Sequence, residues 1–170
     1  MFNFKYKEHD HIFNNLVQLS RNIFFYKDIH LEDKLENRVA LIFAHLSIII
    51  NTLNRNEKFK KYSQELYDNV FYNIENNLRE LGHGDVTVNK KMKLFNRMFH
   101  DMLVKIIVKK SNIFIESKVI SKFLFKRDEN IEIDEKLSIY FKKYYNYCFD
   151  KVNENMIKDI DKLNFNYGCT

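Results

Sequence analysis

His83 and Asp85 flank Gly84 in the stretch NNLRELGHGDVTVNKKMK, residues 76–93. An imidazole and a carboxylate set on either side of a glycine is how a small acid–base pair would be presented at a turn. Catalysis by such a pair needs a nucleophile or a second carboxylate, and none stands nearby in a matching pattern. Gly82-His83-Gly84 is not a dinucleotide fingerprint either, since the third glycine, the preceding strand and the downstream acid are missing. The other histidines do not suggest a metal. His9 and His11 are two apart and fall on different helix faces, His30 and His100 stand alone, and His45 sits inside the most apolar run, where a hydrogen-bonded core histidine is expected. Cys148 and Cys169 have neither disulfide nor metal spacing, which fits a reducing compartment. The expectation is a protein with no catalytic, cofactor-binding or metal-ligating residues. An enzyme centred on His83 and Asp85 is one rival.

The elements that must position this turn are helical. The 170 residues include no proline and three glycines, so breakers are scarce and a turn-rich β fold is disfavoured. Sixteen Phe and ten Tyr supply a core without tryptophan. Apolar residues recur at helical spacing over about 9–27 (Ile12, Leu16, Leu19, Ile23, Phe24), 32–54, 58–81 (Phe59, Tyr62, Leu66, Val70, Ile74, Leu78, Leu81), 89–110 (Met92, Phe95, Phe99, Met102, Ile106) and 134–163 (Leu137, Phe141, Tyr144, Cys148, Val152, Ile160). Residues 113–126 fit a helix or an extended segment. The second stretch is apolar on most sides from Val39 to Ile50, which marks the central core helix. Its run ALIFAHLSIII is about half the ~20 residues a membrane span needs. The N-terminal MFNFKYKEHDH has early acids and no apolar centre, unlike a secretory signal or transit peptide. The reading is an all-α, single-domain bundle of five to seven helices covering residues 1–170.

Charge is unevenly spread. The chain carries a net +5, yet Val86 to Arg127 holds eleven Lys or Arg against two acids, Asp101 and Glu116. That asymmetry points to nucleic acid, an anionic lipid surface or an acidic partner, or to a solvated helix face. Met92, Met98 and Met102 run along the same helix beside Phe95 and Phe99; such a stripe is usually core and is also the adaptable surface of proteins that hold apolar clients.

The two glycines have a structural reading. Gly82 sits where a left-handed cap should end the third helix, and Gly84 lets the chain turn again where a β-carbon would be unwelcome. Asp85, Thr87 or Asn89 can cap the next helix, and Leu81 would staple the corner against Val86 and Val88. Arg79 complements the macrodipole at the helix end. Glu80 is disfavoured there and needs a cation, with Lys91 or Arg97 in reach.

The same residues resemble the ubiquinol-cytochrome c chaperone family, assembly factors for the cytochrome bc1 complex. The matching positions are Asn77, Leu78, Arg79, Glu80, Leu81, Gly82, Gly84, Asp85, Val86, Thr87, Val88, Lys90, Lys91, Met92 and Lys93. Phe71 and Glu75 fit upstream and Phe99 downstream, so the close match covers about residues 67–100. Three positions depart from the family: His83 replaces an aliphatic, Asn89 a proline, and His100-Asp101-Met102 a Tyr-Gly-Arg. The resemblance implies a non-enzymatic chaperone that binds newly made cytochrome b and delivers it into complex III, without a cofactor. It implies a partner surface at Arg79, Glu80, Gly82, Gly84, Asp85, Lys90, Lys91, Met92 and Lys93. In mitochondrial members a small partner subunit and the ribosome take part. The implied location is the cytoplasm, at the inner face of the inner membrane in bacteria with peripheral membrane contact, or the matrix side in mitochondria. DNA is not among the implied partners. The rival from another class is a basic RNA- or ribosome-binding module without a membrane-protein client.

Overall fold

The computed structural model describes residues 10–109, 112–115, 117–125, 130–151 and 165–167. In chain order these form α1 (Asp10–Ser20), α2 (Ile23–Lys27), α3 (Leu35–Leu53), a 3₁₀ turn (Glu57–Phe59), α4 (Lys60–Glu80), α5 (Asp85–Lys105), β1 (Ile106–Lys109), β2 (Asn112–Ile115), α6 (Ser117–Phe125) and α7 (Ile131–Lys151). The fold is all-α, as the scarcity of breakers predicts, and the described residues add one antiparallel hairpin in which Ile106 faces Ile115 and Lys109 faces Asn112.

Helix α3 is the centre. Val39 to Ile50 are all buried, and α1, α4, α5, α6, α7 and β1 each pack against it. Phe43 and His45 are two positions apart, which sends them to opposite sides of the helix, and each side carries its own aromatic cluster. Phe43 stacks on Phe71 at 5.1 Å and meets Phe95 and Phe99 edge-on, tying α3 to α4 and α5. His45 meets Phe25, Tyr140 and Tyr144 edge-on, tying α3 to α2 and α7.

His45 is the satisfied core histidine that its apolar setting implies. Its Nδ1 lies 2.6 Å from the Leu41 carbonyl, so Nδ1–H donates, and Nε2 lies 2.9 Å from the Tyr140 hydroxyl, which must donate to it. That arrangement requires a neutral ring, and full burial pushes the imidazole pKa down to about 4. Burial likewise pushes the Cys148 thiol, also on α7, up to about 12, so this cysteine is an apolar filler and not a nucleophile.

Three boundaries differ from the periodicity. The stripe over 9–27 is broken into α1 and α2, because Asn22 turns out of the helix and its side chain accepts from the Phe24 amide at 3.0 Å. Ser20 and Tyr26 help close the break: Ser20 Oγ donates to the Val17 carbonyl and Tyr26 Oη to the Ser20 carbonyl, each at 2.7 Å. The stripe over 89–110 becomes α5, which starts at Asp85 and ends at Lys105. Asn51 of α3 fixes that end by donating to the carbonyls of Leu103 (3.1 Å) and Ile106 (2.7 Å). The ambiguous 113–126 proves to be both things, strand to Ile115 and then helix α6. Of the last stripe, Val152 and Ile160 lie outside the described residues.

The buried histidine gives a pH prediction. Its folded pKa lies below the ordinary 6.5, so between pH 6.5 and 4 the unfolded chain binds a proton that the native chain refuses. Stability is therefore complete above pH 6.5 and lost as pH falls towards 4, by about 3 kcal/mol from this group. Urea unfolding at pH 7 and pH 4.5 should show a steeper loss in wild type than in His45→Gln.

Candidate functional site: the corner between α4 and α5 and the groove beside it

The α4–α5 corner is closed by backbone geometry. Gly82 has φ +84°, its amide donates to the Arg79 carbonyl at 2.9 Å, and the His83 amide donates to the Leu78 carbonyl at 3.2 Å. These two bonds form a Schellman motif, and its left-handed position is where glycine is favoured. Gly84 is different. It is the N-cap of α5 with an ordinary extended backbone, φ −69° and ψ 159°, and an added β-carbon would meet nothing. Its expected steric role is therefore wrong.

Capping also departs from expectation. No side chain caps α5; Asp85 is its first helical residue, and Thr87 and Asn89 lie inside it. The Asp85 carboxylate instead takes Arg79, whose other arm reaches Glu75 at 2.8 Å. An acid at one helix start and a base at the preceding helix end each suit their macrodipole, and here they pair across the corner. Glu75 first and Asp85 second hold the Arg79 guanidinium pKa above its ordinary value. The exposed pairs orient the corner more than they stabilise it.

The predicted residues are not one patch. Arg79, Gly82, Gly84 and Asp85 meet at the corner, with Glu80 beside it. Lys91 is 25% exposed and turned towards α3, where it binds Glu36 at 2.7 Å. Glu80 therefore does not hold Lys91, and it has no ion pair among the described residues. Met92 and Met98 are half-buried against the core and Met102 is fully buried, so the methionine stripe is core. Lys90 and Lys93 are exposed on the outer side of α5. The staple also fails: Val88 is buried, but Leu81 is 63% and Val86 84% exposed. His83 and Asp85 share no hydrogen bond among the described residues, and the carboxylate is already committed to Arg79, so no acid–base pair is assembled.

Beside the corner lies a groove of about 280 Å³ between α1, α3 and the end of α4. Phe13, Val17, Leu35, Val39, Ile42 and Leu78 give it an apolar lining, while Arg38 and Glu80 stand among its polar residues. Arg38 is held by Asp33 through two bonds of 2.6 Å, and that contact keeps the Asp33 carboxyl below its ordinary pKa. The volume is at the small end for an organic ligand. Nothing in the sequence marks this groove. Phe13 and Val17 sit one position after Ile12 and Leu16, so the first stripe was wide enough to serve both core and groove, but nothing local pointed to α3 as the opposite wall.

By fold, then, this is an all-α helical protein with an ion-paired corner and a small apolar groove at its surface. Residues 27–107 match the family described as Ubiquinol-cytochrome C chaperone, a little under half of the chain. The matched segment runs from the last residue of α2 into β1 and includes the whole corner and the α3 and α4 walls of the groove; α1 lies outside it. A chaperone role is what this match supports. No curated protein and no solved structure matches the chain. Among the described residues, no helix is long and apolar enough to cross a membrane.

The two glycines should separate on mutation. Gly82→Ala should cost about 1 kcal/mol or more, because alanine is strained at positive φ. Gly84→Ser meets open space and offers α5 the side-chain cap it lacks, so it should be neutral or stabilise by up to about 1 kcal/mol. Urea midpoints of the two variants should move in opposite directions, or only the first should move.

Proposed function

We propose that this chain is a non-enzymatic assembly chaperone for the cytochrome bc1 complex that holds newly made cytochrome b. The observation that carries the reading is the family match over 27–107, which covers the corner and two walls of the groove. Leu81, left exposed at the corner, lines the edge of the groove and extends its apolar surface. A transmembrane client presents apolar side chains of the size the groove admits. In this reading the whole chain acts as one helical domain without a cofactor, and work beside a ribosome or with a small partner subunit follows the mitochondrial members. The place of action is the inner face of the inner membrane in a bacterium, or the matrix side in a mitochondrion.

The second reading, an RNA- or ribosome-binding module, is favoured by the exposed cations of α5. Affinity purification of the tagged chain from its native membranes separates the two. Apocytochrome b should co-purify and resist high salt, because burial of apolar surface is insensitive to screening. Recovery of ribosomal RNA without cytochrome b would replace the first reading with the second.

His83 should be dispensable. His83→Leu should leave complex III assembly intact in a strain lacking the wild-type chain, as measured by native gel. Loss of assembly with the fold preserved would return His83 to the functional residues.

A further inference from the structure

Helix α5 turns Val88, Phe95, Phe99 and Met102 inward, so its opposite side is held outward rigidly. On that side Val86, Lys90, Lys93, Arg97 and Val104 recur at spacings of four, three, four and seven, a single helix face. Leu94 lies beside them. The three aliphatics are 84% (Val86), 55% (Leu94) and 71% (Val104) exposed, and the three cations between them are exposed as well. Scattered exposed hydrophobics are ordinary, but here they alternate with cations along about 27 Å of one helix. Lys90, Lys93 and Arg97 have no ion pair or hydrogen bond among the described residues. One acid, Asp101, shares the face, while Asp85 at its end is neutralised by Arg79.

We propose that this outer face of α5 is a docking surface for a membrane rich in anionic phospholipid. The mixture of side chains selects that partner. Phosphate groups at a lipid surface attract the cations, and the interface between headgroups and acyl chains accepts aliphatic side chains that water does not favour. RNA would use the cations equally but gains little from valine and leucine, and the face offers no exposed aromatic ring for bases to stack on. His100 at its edge instead packs against Phe99 and Tyr67. Because α5 is already folded and packed, docking does not carry the cost of ordering a free amphipathic helix. The inference does not depend on which client the groove holds.

Flotation with phosphatidylcholine vesicles, with and without phosphatidylglycerol, tests this on the full chain. Wild type should bind the anionic vesicles alone. Joint Lys90→Glu, Lys93→Glu and Arg97→Glu replacement should lower the partition coefficient roughly a hundredfold. Joint Val86→Gln, Leu94→Gln and Val104→Gln replacement should lower it less and make the remaining binding more salt-sensitive. Reversal of three exposed lysines elsewhere, Lys61, Lys142 and Lys151, is the control for bulk charge and should have the smaller effect. All six residues of the face are exposed, so melting temperatures should be unchanged and loss of fold would be visible. Equal losses from the two charge reversals, no binding of wild type to anionic vesicles, or binding of ribosomal RNA that such vesicles fail to compete would each overturn the proposal.

Discussion

Everything in this fold depends on burying α3 on all sides, and an α-helix can be buried so completely only when its polar side chains are answered inside the protein. Four of them need an answer. Ser47 and Thr52 turn back onto the carbonyls of Phe43 and Ile48, each at 2.7 Å, which costs no partner from another element. His45 and Asn51 instead reach outward and decide what packs there. His45 selects α7 through the Tyr140 hydroxyl. Asn51 selects the end of α5, satisfying two carbonyls that a helix terminus would otherwise leave open, and so sets where helix gives way to hairpin. The core helix thus fixes the positions of its neighbours by hydrogen bonds as well as by shape.

The corner between α4 and α5 follows a different logic. Its free amides and carbonyls are closed by the Schellman bonds around Gly82, and its charges are closed by Glu75, Arg79 and Asp85. Leu78 and Val88 anchor it in the core from either side. Leu81 and Val86 contribute to none of this and remain in water. A corner that is complete without two exposed aliphatics leaves those residues free for a partner.

Much of this was legible in the sequence, and the failures share a cause. The all-α class, the central place of 39–50, the burial of His45 and the left-handed Gly82 all follow from local pattern or local backbone demand, and all are found. Contacts between distant segments left no such trace. Lys91 pairs with Glu36 across 55 positions, so nothing near Lys91 distinguished it from Lys90, yet one faces α3 and the other faces solvent. The same holds for Asn51 and the end of α5. Gly84 misled for another reason: proximity to Gly82 suggested a shared steric need, whereas only one of the two has a positive φ.

The groove and the outer face of α5 use the same frame for different physics. No groove-lining residue comes from α5, and no residue of its cationic face lines the groove. The groove is largely apolar, and of the two arginines that line it, Arg21 and Arg38, the second is paired with Asp33. The α5 face keeps its cations unneutralised and interleaves them with aliphatics. An apolar contact of the first kind scales with buried area and is little affected by ionic strength, whereas the attraction of the second face for anions is screened beyond a Debye length. Lys91 pairs with Glu36 at the start of α3, next to Leu35 on the groove wall, so α5 and that wall share an ion pair as well as the core. On the two proposals, therefore, salt would weaken the contact at α5 and leave the contact in the groove largely unaffected.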